Sequence, residues 1–258
     1  MGFLVALRFL TTLPVPWVKD IQPKHRGSSL AYFPLVGLIL GMILVICSFI
    51  LTLLLPSSEL VNIFLLAILI ALTGALHLDG FIDTCDGTMA AQPPEERLRI
   101  MSDTRVGAFG IVGVVILIMI KYLSLNTSII EILKLPTLLL MPVLGRWAMV
   151  YSMYAFPSAR KEEGLGLEFK KHAHLPGFIV ATLITLVIVV LVGLVQGDIF
   201  TWIILMSIVW IVTAAVSFFF KSRLGGLTGD NYGAVCELAE VTFLVFILIY
   251  FKLKLLIS

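Results

Sequence analysis

The segment HLDGFIDTCDG, His77 to Gly87, places Asp79, Asp83 and Asp86 at offsets of four and three. At about 100° per residue, these carboxylates fall within roughly 60° of one another on a helix. Two carboxylates about 5 Å apart at an effective dielectric near 20 repel by roughly 3 kcal/mol, so three ionised together require compensation. A divalent cation supplies it. Oxygen donors with no neighbouring Cys or His pair favour Mg2+ or Mn2+ over zinc, and Mg2+ commonly bridges carboxylates to substrate phosphates. The aspartates directly follow an apolar run, where carboxylates are costly, so they are read as functional rather than as a solvated helix end. The chemistry expected is metal-assisted transfer at a phosphate.

Two further constellations suit the same task. Residues Glu95 to Arg105, EERLRIMSDTR, are helical in propensity, with Pro93 and Pro94 in the first turn. Arg99 and Arg105 are suited to clamp phosphate oxygens, and Asp103 to join the metal, act catalytically or orient an arginine. Gly225 to Ala234, GGLTGDNYGA, allows close backbone approach to a ligand. Thr228 and Gly229 are therefore substrate-binding candidates, and Asp230 is a further metal ligand. Glu237 and Glu240 share a helix face just inside the membrane boundary, either to contact substrate or to be neutralised by Arg or Lys from another helix. Arg146 lies mid-span, where insertion costs roughly 2.5 to 3.5 kcal/mol, and must face the bundle toward Glu237, Glu240 or a substrate phosphate. Arg160, Lys161, Gly164, Gly166 and Lys171 mark a basic, glycine-containing loop suited to an anionic substrate.

The scaffold for these groups is set by composition. With 60% hydrophobic and 13% charged residues in 258, the expected solvent is the lipid bilayer. Seven apolar runs can be drawn, near Leu30 to Leu55, Leu60 to His77, Gly107 to Tyr122, Pro136 to Phe156, Pro176 to Val195, Phe200 to Phe220 and Val235 to Leu256. Lipid offers no partner for backbone amides, and the runs lack strand-like alternation, so they are expected to cross as helices. The fold expected is an all-α, polytopic integral membrane bundle of about seven transmembrane helices, forming a single domain over residues 1–258. Met1, Phe3, Leu7 and Leu10 fall at helical spacing, so the N-terminus is expected to form a short interfacial helix ended by Pro14 and Pro16, not a signal peptide.

Orientation follows from the basic residues. With the N-terminus inside, Arg8, Lys19, Lys24, Arg26, Arg97, Arg99, Arg105, Arg160, Lys161, Lys170, Lys171, Lys221 and Arg223 are cytoplasmic; Lys121, Lys134, Lys252 and Lys254 fall outside. The acidic clusters then face the cytoplasm. A net charge of +2 gives no reason to expect nucleic acid, and Cys47, Cys85 and Cys236 show neither paired nor metal-ligand spacing. Gly37 with Gly41, and Gly107, Gly110 and Gly113, are spaced for helix packing. The sequence leaves a homo-oligomer open.

In order along the chain, RFLTTLPVP, FPLVGLILG, HLDGFIDTCDG, RIMSDTRVGAFG and GGLTGDNYGAVCELAE resemble the cobalamin synthase family, the adenosylcobinamide-GDP ribazoletransferases. The resemblance spans nearly the whole chain. It implies a multi-pass enzyme of the prokaryotic cell (inner) membrane, active on its cytoplasmic side and requiring Mg2+. In the implied reaction, a hydroxyl of α-ribazole or its 5′-phosphate attacks the cobinamide-linked phosphate of adenosylcobinamide-GDP and displaces GMP. The product is adenosylcobalamin or its 5′-phosphate. By this resemblance Asp79, Asp83 and Asp86 are the leading metal ligands, Asp230 is another, and one acid accepts the nucleophile's proton. Many relatives have an arginine where this chain has Thr12, so that segment is assigned no substrate role. CDP-alcohol phosphotransferases carry a related acidic motif, but Asp83-Thr84-Cys85-Asp86 does not fit its spacing. A membrane prenyltransferase would need a second DxxxD cluster, which the stretch around Asp230 lacks. A secondary transporter would place its acids at the midplane between inverted repeats, and no such repeats are visible.

Overall fold

The structure is a computed structural model that describes residues 1–15, 27–159 and 165–257. Pro16, Lys19, Lys24, Arg26, Arg160, Lys161 and Gly164 therefore lie outside the described residues. Among the described residues the chain is helical, in the order α1 (Gly2–Leu10), α2 (Phe33–Leu54), α3 (Ser58–Thr73), α4 (Leu76–Met89), α5 (Pro94–Ile100), α6 (Ala108–Leu125), α7 (Ser128–Ile132), α8 (Lys134–Ala155), α9 (Leu165–Lys171), α10 (Leu175–Val195), α11 (Ile199–Leu224) and α12 (Gly229–Ile257). Six helices are long and apolar enough to cross a membrane, and α3 with α4 forms a seventh candidate span, bent by 90°. The expected polytopic all-α bundle is what the chain forms.

Helix α8 is the axis: 78% of its apolar window is buried, against 28% for α6 and α10. It packs antiparallel to α2, with Gly37 over the carbonyl of Pro142 and Gly41 over the backbone of Leu139. A methyl added at Gly41 would stand 2.7 Å from the Leu139 carbonyl oxygen, so only glycine permits this approach. In lipid, such close packing replaces the hydrophobic drive that holds soluble helices together. The outer helix faces present large apolar side chains, including Phe49, Leu53 and Val195, as a bilayer-facing surface requires.

Two elements differ from the sequence expectation. The second apolar run is not one straight crossing. Helix α3 ends at Gly74 (φ 59°), and Ala75 follows with φ 57°, so two consecutive left-handed residues turn the chain into α4. The break is held from the N-terminus. The Thr12 amide donates to Leu72 O at 2.8 Å, and its hydroxyl donates to Ala71 O at 3.0 Å, satisfying carbonyls that a helix end leaves orphaned. The N-terminal helix itself stops at Leu10, with Thr11 extended, before Pro14 is reached. Val5, Ala6 and Leu10 are buried, so one face of α1 packs against the bundle.

Candidate active site

The two glycine-and-acid segments meet. On α4, Gly80 lies between Asp79 and Asp83, and its missing side chain lets the backbone of Asp230 at the start of α12 sit against it. A methyl there would stand 2.7 Å from Asp230 O. Three residues along, Gly233 gives the same room to the backbone of His77, and Asn231 Nδ2 donates to Thr84 Oγ1 at 3.0 Å. Helix α12 is started by a reciprocal cap. The Thr228 amide donates to Asn231 Oδ1 at 2.8 Å, and the Asn231 amide donates to Thr228 Oγ1 at 3.3 Å. Thr228 Oγ1 also donates to Asp230 Oδ2 at 3.2 Å. The preceding loop is pinned by Leu227 N donating to Pro157 O and Ala159 N to Leu227 O. Gly80→Ala is expected to push α4 from α12 and lower turnover on the order of 10²-fold with unchanged membrane insertion, checked by activity per folded protein.

The three aspartates of α4 share a face but not an environment. Asp79 is exposed, Asp83 is half-buried and Asp86 is buried. The Asp86 carboxylate accepts from the Gly107 amide at 2.7 Å and the Gly110 amide at 2.8 Å. It therefore caps the first turn of α6, where a negative charge is favoured. Asp86 is thereby set apart from Asp79 and Asp83, because both its oxygens are engaged by backbone amides. The glycine row on α6 serves the same contact: any side chain at Gly110 would collide with the Asp86 carboxylate.

Helix α5 ends at Ile100, short of the expected Arg105. Arg97 is buried, donating to Gln92 O and Thr88 O, and so ties α5 to the end of α4. Arg99 is exposed beside Glu96. In the exposed turn that follows, Asp103 accepts from Arg105 Nε at 3.1 Å and Nη2 at 2.8 Å. The Arg105 side chain and amide hold the Asp103 carboxyl down to about 2. Of the roles expected for Asp103, the pairing with Arg105 displays the orienting one.

Deeper in the bundle lies a charge cluster. Lys121 Nζ on α6 is 2.5 Å from both Glu237 Oε2 and Glu240 Oε2, and Arg146 Nη1 on α8 pairs with Glu240 Oε1. Two cations thus balance two carboxylates. Of the two readings left open for these residues, the structure displays the pairing by basic side chains: Glu237 with Lys121, and Glu240 with Lys121 and Arg146. Lys121, expected outside, is instead buried at their centre. His77 Nδ1 is 3.5 Å from Arg146 Nη2, which links the cluster to α4. A cavity of about 20 Å³ lined by Lys121, Arg146 and Glu237 adjoins it, room for one water.

Among the described residues, no three His, Cys, Asp or Glu side chains gather closely enough to enclose a metal ion. Mg2+ does not need such a cage. It keeps several waters and takes one or two carboxylates together with substrate phosphates, a donor set that Asp79 and Asp83 on one face of α4 fit. Lys121, Thr12, Asn231 and Arg97 were missed from the sequence. Only the Thr228-x-x-Asn231 cap had a recognisable local signal.

Comparison with known proteins gives the family. A family model described as cobalamin-5-phosphate synthase matches residues 2–248. The adenosylcobinamide-GDP ribazoletransferase of Roseiflexus sp. (strain RS-1) is 38% identical over 241 residues, covering 92% of this chain and 85% of that protein. The protein of the same name from Geotalea daltonii is 37% identical over 246 residues, covering 93% of each chain. That of Clostridium acetobutylicum is 34% identical over 252 residues, 96% of this chain and 97% of the relative. No solved structure matches. Matched across almost its full length, and with its motif segments folded against one another, the chain belongs to the cobalamin-5-phosphate synthase family.

Proposed function

We propose that this protein is the membrane-embedded adenosylcobinamide-GDP ribazoletransferase of its cell, with Asp79 and Asp83 holding Mg2+ and the site open to the cytoplasm. The observation that carries the reading is the seating of Asp230 against Gly80, which brings the acidic residues of α4 and α12 to one place. A hydroxyl of α-ribazole, or of its 5′-phosphate, attacks the cobinamide-linked phosphorus. The new O–P bond forms as the P–O bond to GMP breaks, and the proton passes to a carboxylate of the α4–α12 face. When bound, Mg2+ supplies charge neutralisation on the diphosphate oxygens.

The chain's own residues position the partners. Asp86 fixes the start of α6 against α4. Arg99, held only by an exposed pair with Glu96, is free to exchange that contact for a phosphate oxygen. Arg105 is presented by Asp103 and is suited to the guanosine-side phosphate. Thr228 and Gly229 shape the first turn of α12, whose amides favour an anion. The buried Arg146, Glu237 and Glu240 support the site from beneath rather than touching substrate. Thirteen of the 18 basic residues fall on the side that also carries these acids when the N-terminus is inside, which supports the cytoplasmic orientation.

Purified protein in liposomes tests this. With adenosylcobinamide-GDP and α-ribazole it is expected to release GMP, to stop on addition of EDTA, and to resume with Mg2+. Accumulation of substrate without cleavage would favour a transporter, and release of GMP unaffected by chelation would remove the metal from the mechanism.

A further inference from the structure

We propose that Lys121 is a positioning residue for the reaction: it closes a three-helix frame that sets where the aspartates of α4 stand relative to Asp230. The frame has three sides. Between α4 and α6, Asp86 accepts from the amides of Gly107 and Gly110. Between α4 and α12, Gly80 and Gly233 admit the backbones of Asp230 and His77. Between α6 and α12, the polar link is Lys121, 2.5 Å from a carboxylate oxygen of Glu237 and of Glu240. Lys121 lies eleven positions after Gly110, about 16 Å along the helix, so α6 is anchored at two well-separated points. A helix held at one end can swing; held at both, it cannot.

The chemistry of the contact suits a register device. Glu237 and Glu240 are three residues apart on one face and repel each other unless a cation lies between them. An ammonium is a compact point charge that satisfies both. Arg146 reaches Glu240 alone, so it does not substitute for Lys121. Sliding α12 by one turn along α6 would move Glu237 away from Lys121 and Asp230 away from Gly80 together. The frame therefore couples a buried ion contact to the mouth of the site.

This inference rests on Asp79 and Asp83 acting in the reaction, and the test separates the two. Lys121→Met with Glu237→Gln removes the link while conserving net charge. The expected result is a protein that folds and melts like the parent, with kcat reduced about tenfold or more and KM for adenosylcobinamide-GDP nearly unchanged. Parental kcat in that folded variant would overturn the proposal and leave Lys121 as charge compensation only. Should the double variant not accumulate, Lys121→Arg decides, because a guanidinium carries the same charge with a different reach. Positioning then predicts a folded enzyme with several-fold lower kcat at unchanged KM, and parental kcat contradicts it. Full activity in Asp83→Asn would instead overturn the underlying assignment of the acids, an outcome that no Lys121 variant can mimic.

Discussion

Asp83→Asn is expected to lower GMP release by at least about 100-fold while the protein still inserts and purifies normally, because losing the metal ligand proposed above should exceed the 10- to 100-fold cost of losing a ligand's supporting partner. Asp83 is half-buried on α4, midway between exposed Asp79 and buried Asp86. It is therefore the carboxylate best placed both to be held by the protein and to meet a ligand. The amide keeps shape and size and removes the charge, so packing is conserved. Asp86→Asn should behave differently. It replaces one acceptor of the amide pair from Gly107 and Gly110 with a donor, which loosens the start of α6 and reduces folded yield along with activity. Comparable losses of activity per folded protein in both variants would mean that Asp86 acts in the chemistry as well.

Glu240→Leu is expected to destabilise the folded protein by about 3 to 5 kcal/mol, since it strands Arg146 and part of the Lys121 charge in a buried, apolar setting. Arg146→Leu should cost a similar amount by leaving Glu240 under-compensated. Combining the two conserves net charge, and the double variant is expected to be more stable than either single one. Thermal unfolding in detergent, with size-exclusion profiles as a check on folding, measures this. Losses that simply add would show that Arg146 and Glu240 do not interact energetically.

Much of this was legible before folding was considered. Apolar run length marks the spans, and the offsets of Asp79, Asp83 and Asp86 put them on one helix face, because both signals depend only on local periodicity. What stayed hidden depends on contacts distant in sequence. Lys121 is 116 residues from Glu237, and at the end of an apolar run it looks like any lysine at a membrane boundary. Counting basic residues by side accordingly puts it outside. Asp86 resembles its neighbours in sequence and is set apart only because the start of α6, 21 residues on, folds over it. The turn at Gly74 was hidden in another way: Ala75 adopts φ 57° with no sequence signature, and it is the link to Thr12 that holds the break. Arg97 and Arg99 show the same limit. Two positions apart on one charged helix, they look alike in sequence, and tertiary packing buries the first while leaving the second exposed.

The central claim is that carboxylates of α4, gathered beside the start of α12, capture a divalent cation that grips a diphosphate. Titration of the purified protein with Mn2+, followed by electron paramagnetic resonance, tests it without relying on turnover. The account predicts saturable Mn2+ binding that tightens when GDP is added and is lost in the Asp79→Asn/Asp83→Asn variant. Mn2+ binding that is the same in parent and variant, with or without GDP, would contradict it.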